Sequence, residues 1–385
     1  MQSITTFKLA LVSTAVFGAL AASPALAADK VIKLGFAAPL TGPQAHYGED
    51  MRNGLVLALE EANAQKIEID GATARFELVA KDDQADPRTA VQVAQQIVDD
   101  EVDGVLGHFN SGTTIPASRV YNDAGIPQIA MATSPEYTQQ GYDNTFRMMT
   151  SDTQQGAAVG QFIVKDLAAK KVALIDDRTA YGQGLTDQVA RAVEKAGGQI
   201  VAREYTTDKA NDFTSILTNI KSKQPDAIFF GGLDAQSGPM KRQMQTLDIQ
   251  APLVSGEMTR SDTFLRLAGN AADGTYASLA GVPLSTMVAG EKFAKDYQAR
   301  FKADPGVYAP YAYDGAWNMI TAMKEAGSSK AEDYLPKLAA LKRNGATSNN
   351  IAYDQNGDLK EIAVTIYEVK DGKWTMVKTM VSQAN

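Results

Sequence analysis

Residues 102–133 read VDGVLGHFNSGTTIPASRVYNDAGIPQIAMAT. The apolar run Val102–Phe109 has the length of a buried strand, Thr113–Ala124 carries a helical pattern, and Pro127–Thr133 is a second apolar run. A strand, a crossover helix and a second strand at this spacing make a βαβ unit, whose two strands run parallel. The same alternation extends towards the N-terminus. Val31–Ala37 reads as a strand and Ala74–Ala80 as an alternating one. Met51, Leu55, Leu59 and Ala62 share one face of a helix over Met51–Ala64. Pro87 stands in the first turn of a helix carrying Val91, Ala94 and Val98. A βαβ series of this kind predicts a parallel sheet with helices on both faces.

The pattern restarts after Thr150. Helices are predicted over Gln154–Leu167 and Gly182–Ala196 and near 213–222 and 236–247, with strands over Lys171–Asp176, Gln199–Thr206, Ala227–Gly231 and Pro252–Gly256. Past Ala280 the chain turns helical, over 289–303, 311–326 and 331–342, with no new sheet of its own to cover, so these helices are expected to return to the first lobe. Glu361–Val369 and Lys373–Met380 alternate around Asp371-Gly372, the mark of a two-residue hairpin at the edge of the second lobe. The expected fold class is α/β: two doubly wound lobes with mainly parallel central sheets, joined by three crossovers near 150, 279 and 356, with a ligand cleft between them. Residues 28–150 plus 279–356 would form lobe 1, and 151–278 plus 357–385 lobe 2.

Composition removes several functions. Among 385 residues there is no cysteine, so thiol nucleophiles, thiolate metal sites, iron–sulfur clusters and disulfides are excluded. Two histidines, His46 and His108, are too few for a His-rich metal centre. Asp plus Glu outnumber Lys plus Arg 45 to 37, which argues against a nucleic-acid-binding face. Residues 1–27 read as a secretory signal peptide: Lys8, an apolar run over 9–22, a break at Ser23-Pro24 and a small-residue cleavage site at Ala25-Leu-Ala27. The run is too short to span a bilayer, so a mature protein without membrane insertion is expected outside the cytoplasm.

In open α/β sheets, ligands sit beyond the carboxyl ends of the strands. Ser111, opening a helix, suits a carboxylate, since free backbone N–H groups and the helix dipole favour an anion and no basic residue adjoins to favour phosphate. Its plainer role is an N-cap. Thr133 ends the next strand and adds a hydroxyl, or is simply a turn residue before Pro135. Asp234 and Glu257 follow strands of the second half and suit a ligand ammonium; Asp234 also sits where a helix cap is wanted. Tyr47, Phe109, Tyr181 and Tyr308 are candidates for apolar walls or for ordinary core packing. Asp82-Asp83-Gln-Ala-Asp86 lacks the glycine and terminal glutamate of an EF-hand and reads as a solvated loop. No dinucleotide, P-loop, zincin or nucleophile-elbow motif occurs, and His108 with Ser111 lacks the further members of a triad.

Several short motifs run in order along the chain: Pro39-Leu-Thr-Gly-Pro43, Tyr47-Gly48, Asp82-Asp83 with Asp86-Pro87, Gly107-His108, Pro116-Ala-Ser118, Ala132-Thr-Ser-Pro-Glu136, Tyr181-Gly-Gln-Gly184, Gly231-Gly232, Asp354 and Gly357-Asp-Leu359. In these the chain resembles the periplasmic leucine/isoleucine/valine-binding proteins of bacterial ABC importers, which have the type I periplasmic-binding-protein fold. The resemblance implies no catalysis, no cofactor and no metal. It implies a monomer that closes on an amino acid and delivers it to a permease and ATPase complex. Ser111, Thr133 and the backbone at Met131 would hold the α-carboxylate and ammonium, and Glu257 would be the acidic partner of the ammonium. Tyr47, Phe109, Asn110, Ala132, Tyr181 and Tyr308 would line the side-chain pocket. Two positions depart from the family. Ala85 and Asn110 stand where better-known members have cysteines. Leu233, followed by Asp234, stands where they have an aromatic residue, which opens the specificity to another amino acid, an amide or another small carboxylate. A sensory module on the same fold and an amide hydrolase are the competing readings.

Overall fold

A computed structural model describes residues 29–383 and, apart from them, Gln2. The leader expected over 1–27 therefore lies, Gln2 aside, outside the described residues. In chain order the first sheet and its helices are β1 (Lys30–Ala38), α1 (Ala45–Ala64), β2 (Glu68–Ile69), β3 (Ala72–Asp82), α2 (Pro87–Asp99), β4 (Gly104–Gly107), α3 (Ser111–Asp123), β5 (Gln128–Ala130) and β6 (Thr145–Arg147). The second series is α4 (Asp152–Gln161), β7 (Lys171–Asp176), α5 (Ala180–Lys195), β8 (Gln199–Tyr205), α6 (Thr214–Ser222), β9 (Ala227–Gly231), α7 (Asp234–Thr246), β10 (Leu253–Ser255), α8 (Asp262–Ala268) and β11 (Tyr276–Leu279). Then come α9 (Gly290–Phe301), α10 (Ala309–Ala326), α11 (Ala331–Ala339), the short strands β12 (Lys342–Arg343) and β13 (Ile351–Ala352), and the hairpin β14 (Glu361–Lys370) and β15 (Lys373–Gln383).

The strands form two main sheets, in the orders β2-β3-β1-β4-β5-β6 and β15-β14-β11-β10-β9-β7-β8. Every pairing is parallel except β2 with β3 and the two made by β14. The expected architecture of two doubly wound lobes is thus present, with the terminal hairpin on an edge of the second sheet. Strands β4, β5, β9 and β10 are buried along their whole length, as helices on both faces require. Helix α10 returns to lie along α1. The approach is close enough that a β-carbon on Gly54 would stand 2.2 Å from the Ala309 carbonyl oxygen, so only glycine fits there.

The chain passes between the sheets after β6, after β11 and before β14. Thr150 ties the three passages together. Its amide donates to the Ala280 carbonyl (3.3 Å), its hydroxyl donates to the Ala363 carbonyl (2.7 Å), and the Ala363 amide donates back to that hydroxyl (3.2 Å).

Local departures from expectation have local causes. Helix α1 starts at Ala45 rather than Met51, because its first turn is not an apolar repeat but carries His46 and Tyr47 into the cleft. Strands β6 and β11 carry no sequence expectation; at three and four residues they are too short for a period to show. The acidic loop is not uniformly solvated. Asp86 caps α2 by accepting from the amides of Arg88 and Thr89. Asp83 is fully buried, 2.7 Å from Nδ1 of the buried His108, whose Nε2 lies 3.1 Å from the Tyr121 hydroxyl. His108 is therefore a satisfied core histidine. Among the described residues no helix is long and apolar enough to cross a membrane.

Candidate functional site

The carboxyl ends of β4, β5, β7, β9 and β10 place the predicted residues around one interlobe space. Ser111 opens α3 and is buried, but it is not a cap: Asn110 holds the N-cap position with no side-chain cap bond. The Ser111 hydroxyl instead accepts from the amide of Ser134 (3.2 Å), joining the loops after β4 and β5. Thr133 lies in the second of these loops with Met131 and Ala132, all buried. The fully buried Arg147 holds that loop. Its Nη1 donates to the carbonyls of Ala132 (2.6 Å) and Ser134 (2.8 Å), its Nη2 to the Thr138 hydroxyl (2.7 Å), and its Nε to Asp358 (2.7 Å). An arginine suits this position because its planar fork serves several oxygens at once.

Across the cleft, Glu257 follows β10 and is buried. The Tyr181 hydroxyl donates to its Oε2 at 2.9 Å. Tyr181 reaches past Gly256, where an added β-carbon would stand 2.2 Å from that hydroxyl. Burial raises the Glu257 carboxyl above the ordinary range, against the pull of hydrogen bonds that include Tyr181 and Gln155. The residue that sequence reasoning missed is Asp152, the first residue of α4. It is fully buried, its amide donates to the Thr133 carbonyl (2.8 Å), and its Oδ1 accepts from Gln155 (3.1 Å). Burial, and then the charge of Glu257, push its carboxyl up to about 8. The only sequence signal was an acid in the first turn of a helix, which ordinarily means a favourable helix dipole and nothing more.

Three rings close one wall. Phe109 packs edge-on to Tyr308 (4.8 Å between centroids), and Tyr47 lies 5.2 Å from Phe109 and 5.7 Å from Tyr308. Asp50 on α1 fixes Tyr308 by accepting from the amides of Gly306, Tyr308 and Ala309 at 2.7–3.0 Å. The Tyr47 hydroxyl crosses to the other lobe and donates to the Met258 carbonyl at 2.6 Å. His46 Nε2 crosses as well, to Asp234 Oδ2 at 3.0 Å. Asp234 is not a helix cap: Leu233 occupies that position, and Asp234 turns its buried carboxylate to His46 and to the Ser261 hydroxyl (2.6 Å). Leu233 is buried beside it.

Tyr47, Phe109 and Tyr308 thus stand together, Tyr181 meets Glu257, and the lobes touch at Tyr47 to Met258 and His46 to Asp234. A cavity of about 650 Å³ opens beside the ring wall, bordered by His46, Tyr47, Arg260, Ser261, Tyr308 and Trp374 among others. Ser111, Thr133 and Glu257 lie deeper and do not border that opening. The chamber between the lobes has the Ser111 and Thr133 loops on one side, the carboxyl groups of Glu257 and Asp152 on the other and rings between. Groups of these kinds suit a small molecule bearing both an anionic and a cationic group.

The model of the family described as periplasmic binding protein matches residues 31–373. The chain belongs to that family. Members are substrate-binding proteins of ABC transporters, not enzymes. A Leu/Ile/Val-binding protein homolog of Brucella suis is 33% identical over 358 residues, 91% of this chain and 94% of its own length. An amino acid binding protein of Pseudomonas aeruginosa is 35% identical over 380 residues, 96% of this chain and 98% of its own. Among solved structures, the branched-chain amino acid transporter substrate binding protein of Streptococcus pneumoniae, in complex with isoleucine, superposes with a TM-score of 0.81 at 27% identity, over 92% of this chain and 100% of its own. The periplasmic binding protein fold that the motif resemblance implies is therefore the fold of this chain.

Proposed function

We propose that this periplasmic binding protein captures an α-amino acid between its lobes and delivers it to an ABC permease and ATPase complex. The observation that carries the reading is the buried pair Glu257 and Asp152, facing the Ser111 and Thr133 loops: a place for an ammonium beside a place for a carboxylate. Ser111, Thr133 and the Met131 backbone hold the head group, and Glu257 takes the ammonium with Asp152 behind it. Tyr47, Phe109, Asn110, Ala132, Tyr181, Leu233 and Tyr308 enclose the side chain, whose aliphatic part lies against the rings. The names of the relatives, which bind leucine, isoleucine and valine or amino acids generally, support the same ligand class. Lobe 1 comprises 28–150 and 279–356, and lobe 2 comprises 151–278 and 357–385. Ligand contacts from both lobes favour the closed form and shift the equilibrium towards it. Cleavage after Ala27 releases the chain to the periplasm as a monomer.

Glu257→Ala is the test. It removes a charge-assisted contact of roughly 1.5–3 kcal/mol, so calorimetric titration should show affinity for the bound amino acid falling about tenfold or more. Unchanged affinity overturns the assignment of Glu257. Absence of binding by every amino acid tried on refolded, ligand-stripped protein overturns the function.

A further inference from the structure

At the head-group end, Oδ1 of Asp152 and Oε2 of Glu257 have hydrogen-bond partners in Gln155 and Tyr181, while Oδ2 of Asp152 has none. Nearer the ring wall, three more buried side chains carry polar atoms without partners. Asp234 is fully buried and, although its Oδ2 is shared by His46 and Ser261, its Oδ1 has none. The hydroxyl of Tyr308, only 2% exposed, has none either, nor has Oδ1 of Asn110. Tyr308 borders the cavity with His46 and Ser261, the two residues that hold Asp234. Besides burial, the charges of Glu257 and Asp234 raise the Tyr308 hydroxyl, and Asp234 likewise raises that of Tyr47. A buried acceptor without a donor destabilises the protein around it, whereas a ligand that supplies the donor removes that penalty. An all-hydrocarbon side chain supplies none.

One donor also lacks a partner. Nε of Arg260 is buried and unbonded, and its guanidinium stacks on Tyr367 at 4.1 Å. Arg260 precedes Ser261, which bonds Asp234, and it borders the same cavity as His46, Ser261 and Tyr308. The positive charge of Arg260 also reaches Tyr308, where it opposes the effect of Asp234. An unpaired acceptor and an unpaired donor thus both stand near Tyr308. A side-chain ammonium would satisfy Asp234 but face Arg260, and a side-chain carboxylate would meet the reverse conflict. A carboxamide satisfies both, since its NH₂ donates and its C=O accepts.

We infer that Asp234, Tyr308 and Arg260 form a subsite for a carboxamide, so that the preferred ligand is an amino acid whose aliphatic stem ends in an amide or urea group rather than a branched hydrocarbon. The inference rests on the proposed amino-acid-binding function and narrows its ligand. The positions that make the subsite are Leu233-Asp234, where the chain departs from its better-known relatives.

Refolded full-length mature protein is titrated with glutamine, asparagine, citrulline, leucine, isoleucine, lysine and glutamate. At least one of the first three should bind more than tenfold tighter than leucine, lysine and glutamate, since a site built around hydrogen bonds discriminates strongly against analogues that lack them. Asp234→Leu should then lower affinity for that ligand by more than tenfold and raise affinity for leucine. Asp234→Asn keeps the side-chain shape and should give an intermediate loss if the leucine variant folds poorly. Tightest binding by leucine or isoleucine overturns the carboxamide subsite and leaves the amino-acid function standing, as does tightest binding by lysine or glutamate. An unchanged order of preference in both variants also overturns it. Binding by none of the seven removes the function on which the inference depends.

Discussion

Replacing Asp152 by asparagine tests whether the buried acid pair governs the ligand-free protein. Burial, followed by the Glu257 charge, raises this carboxyl from its ordinary 3.8 to about 8, outweighing Thr133, Arg147 and Gln155. In the unfolded chain the same group ionises near its ordinary value, about 3.9. Between those two values the folded chain keeps a proton that the unfolded chain has lost. The contribution of this group to stability is therefore greatest below about pH 4, and it falls as the pH rises towards 8, by up to ~1.4 kcal/mol per pH unit. Between pH 5.5 and 7.5 that amounts to about 2–3 kcal/mol. At about 2.1 cal/mol/K per residue, a chain of this length loses about 3 °C of melting temperature across the interval. Asparagine cannot ionise, so Asp152→Asn abolishes that part of the decline. Melting of ligand-free wild type and variant at the two pH values is the assay. The variant should gain about 3 °C on wild type at pH 7.5 relative to pH 5.5. Parallel pH profiles for the two proteins would refute the assignment of a retained proton to this site.

Other substitutions probe the supports of the chamber. Arg147→Met removes the positive partner of Asp358 and the donor to the Ala132 and Ser134 carbonyls and should cost about 3–5 kcal/mol in denaturant unfolding. Tyr47→Phe removes the interlobe bond to Met258 without touching the head-group loops. It should weaken binding about fivefold, the equivalent of about 1 kcal/mol, through faster ligand release in stopped-flow measurements. Gly256→Ala pushes the Tyr181 hydroxyl off Glu257 and should reproduce the affinity loss of Tyr181→Phe in calorimetry; a wild-type affinity would show that the tyrosine contact is dispensable.

The sheets were readable in the sequence because buried stretches such as Val172–Ile175 and Ala227–Gly231 are apolar throughout, and the amphipathic helices between them repeat on one face. Strand ends then pointed to Ser111, Thr133, Tyr181 and Glu257, because the fold class itself says where ligands sit. Two kinds of information were not there. Strands as short as Thr145–Arg147 hold too few residues for a period to show, and they form because neighbouring strands offer them an edge. Side-chain direction was the other. Asp234 and Ser111 both occupy positions where a cap is the ordinary reading, and only the packed structure turns one to His46 and the other to the Ser134 amide. Asp152 was hidden for the same reason. A carboxylate opening a helix looks like an exposed dipole partner until tertiary packing buries it.

The fastening at Thr150 has a mechanical consequence. Three chain passages held to one another by short hydrogen bonds at a single residue cannot slide past each other without breaking those bonds. They can swivel about that residue while keeping all of them. A rotation of one half against the other about Thr150 would change most the contacts far from it, such as Tyr47 to Met258 and His46 to Asp234. Motion of this kind acts as a lever, in which a small angle at the fastening becomes a wide opening at the mouth.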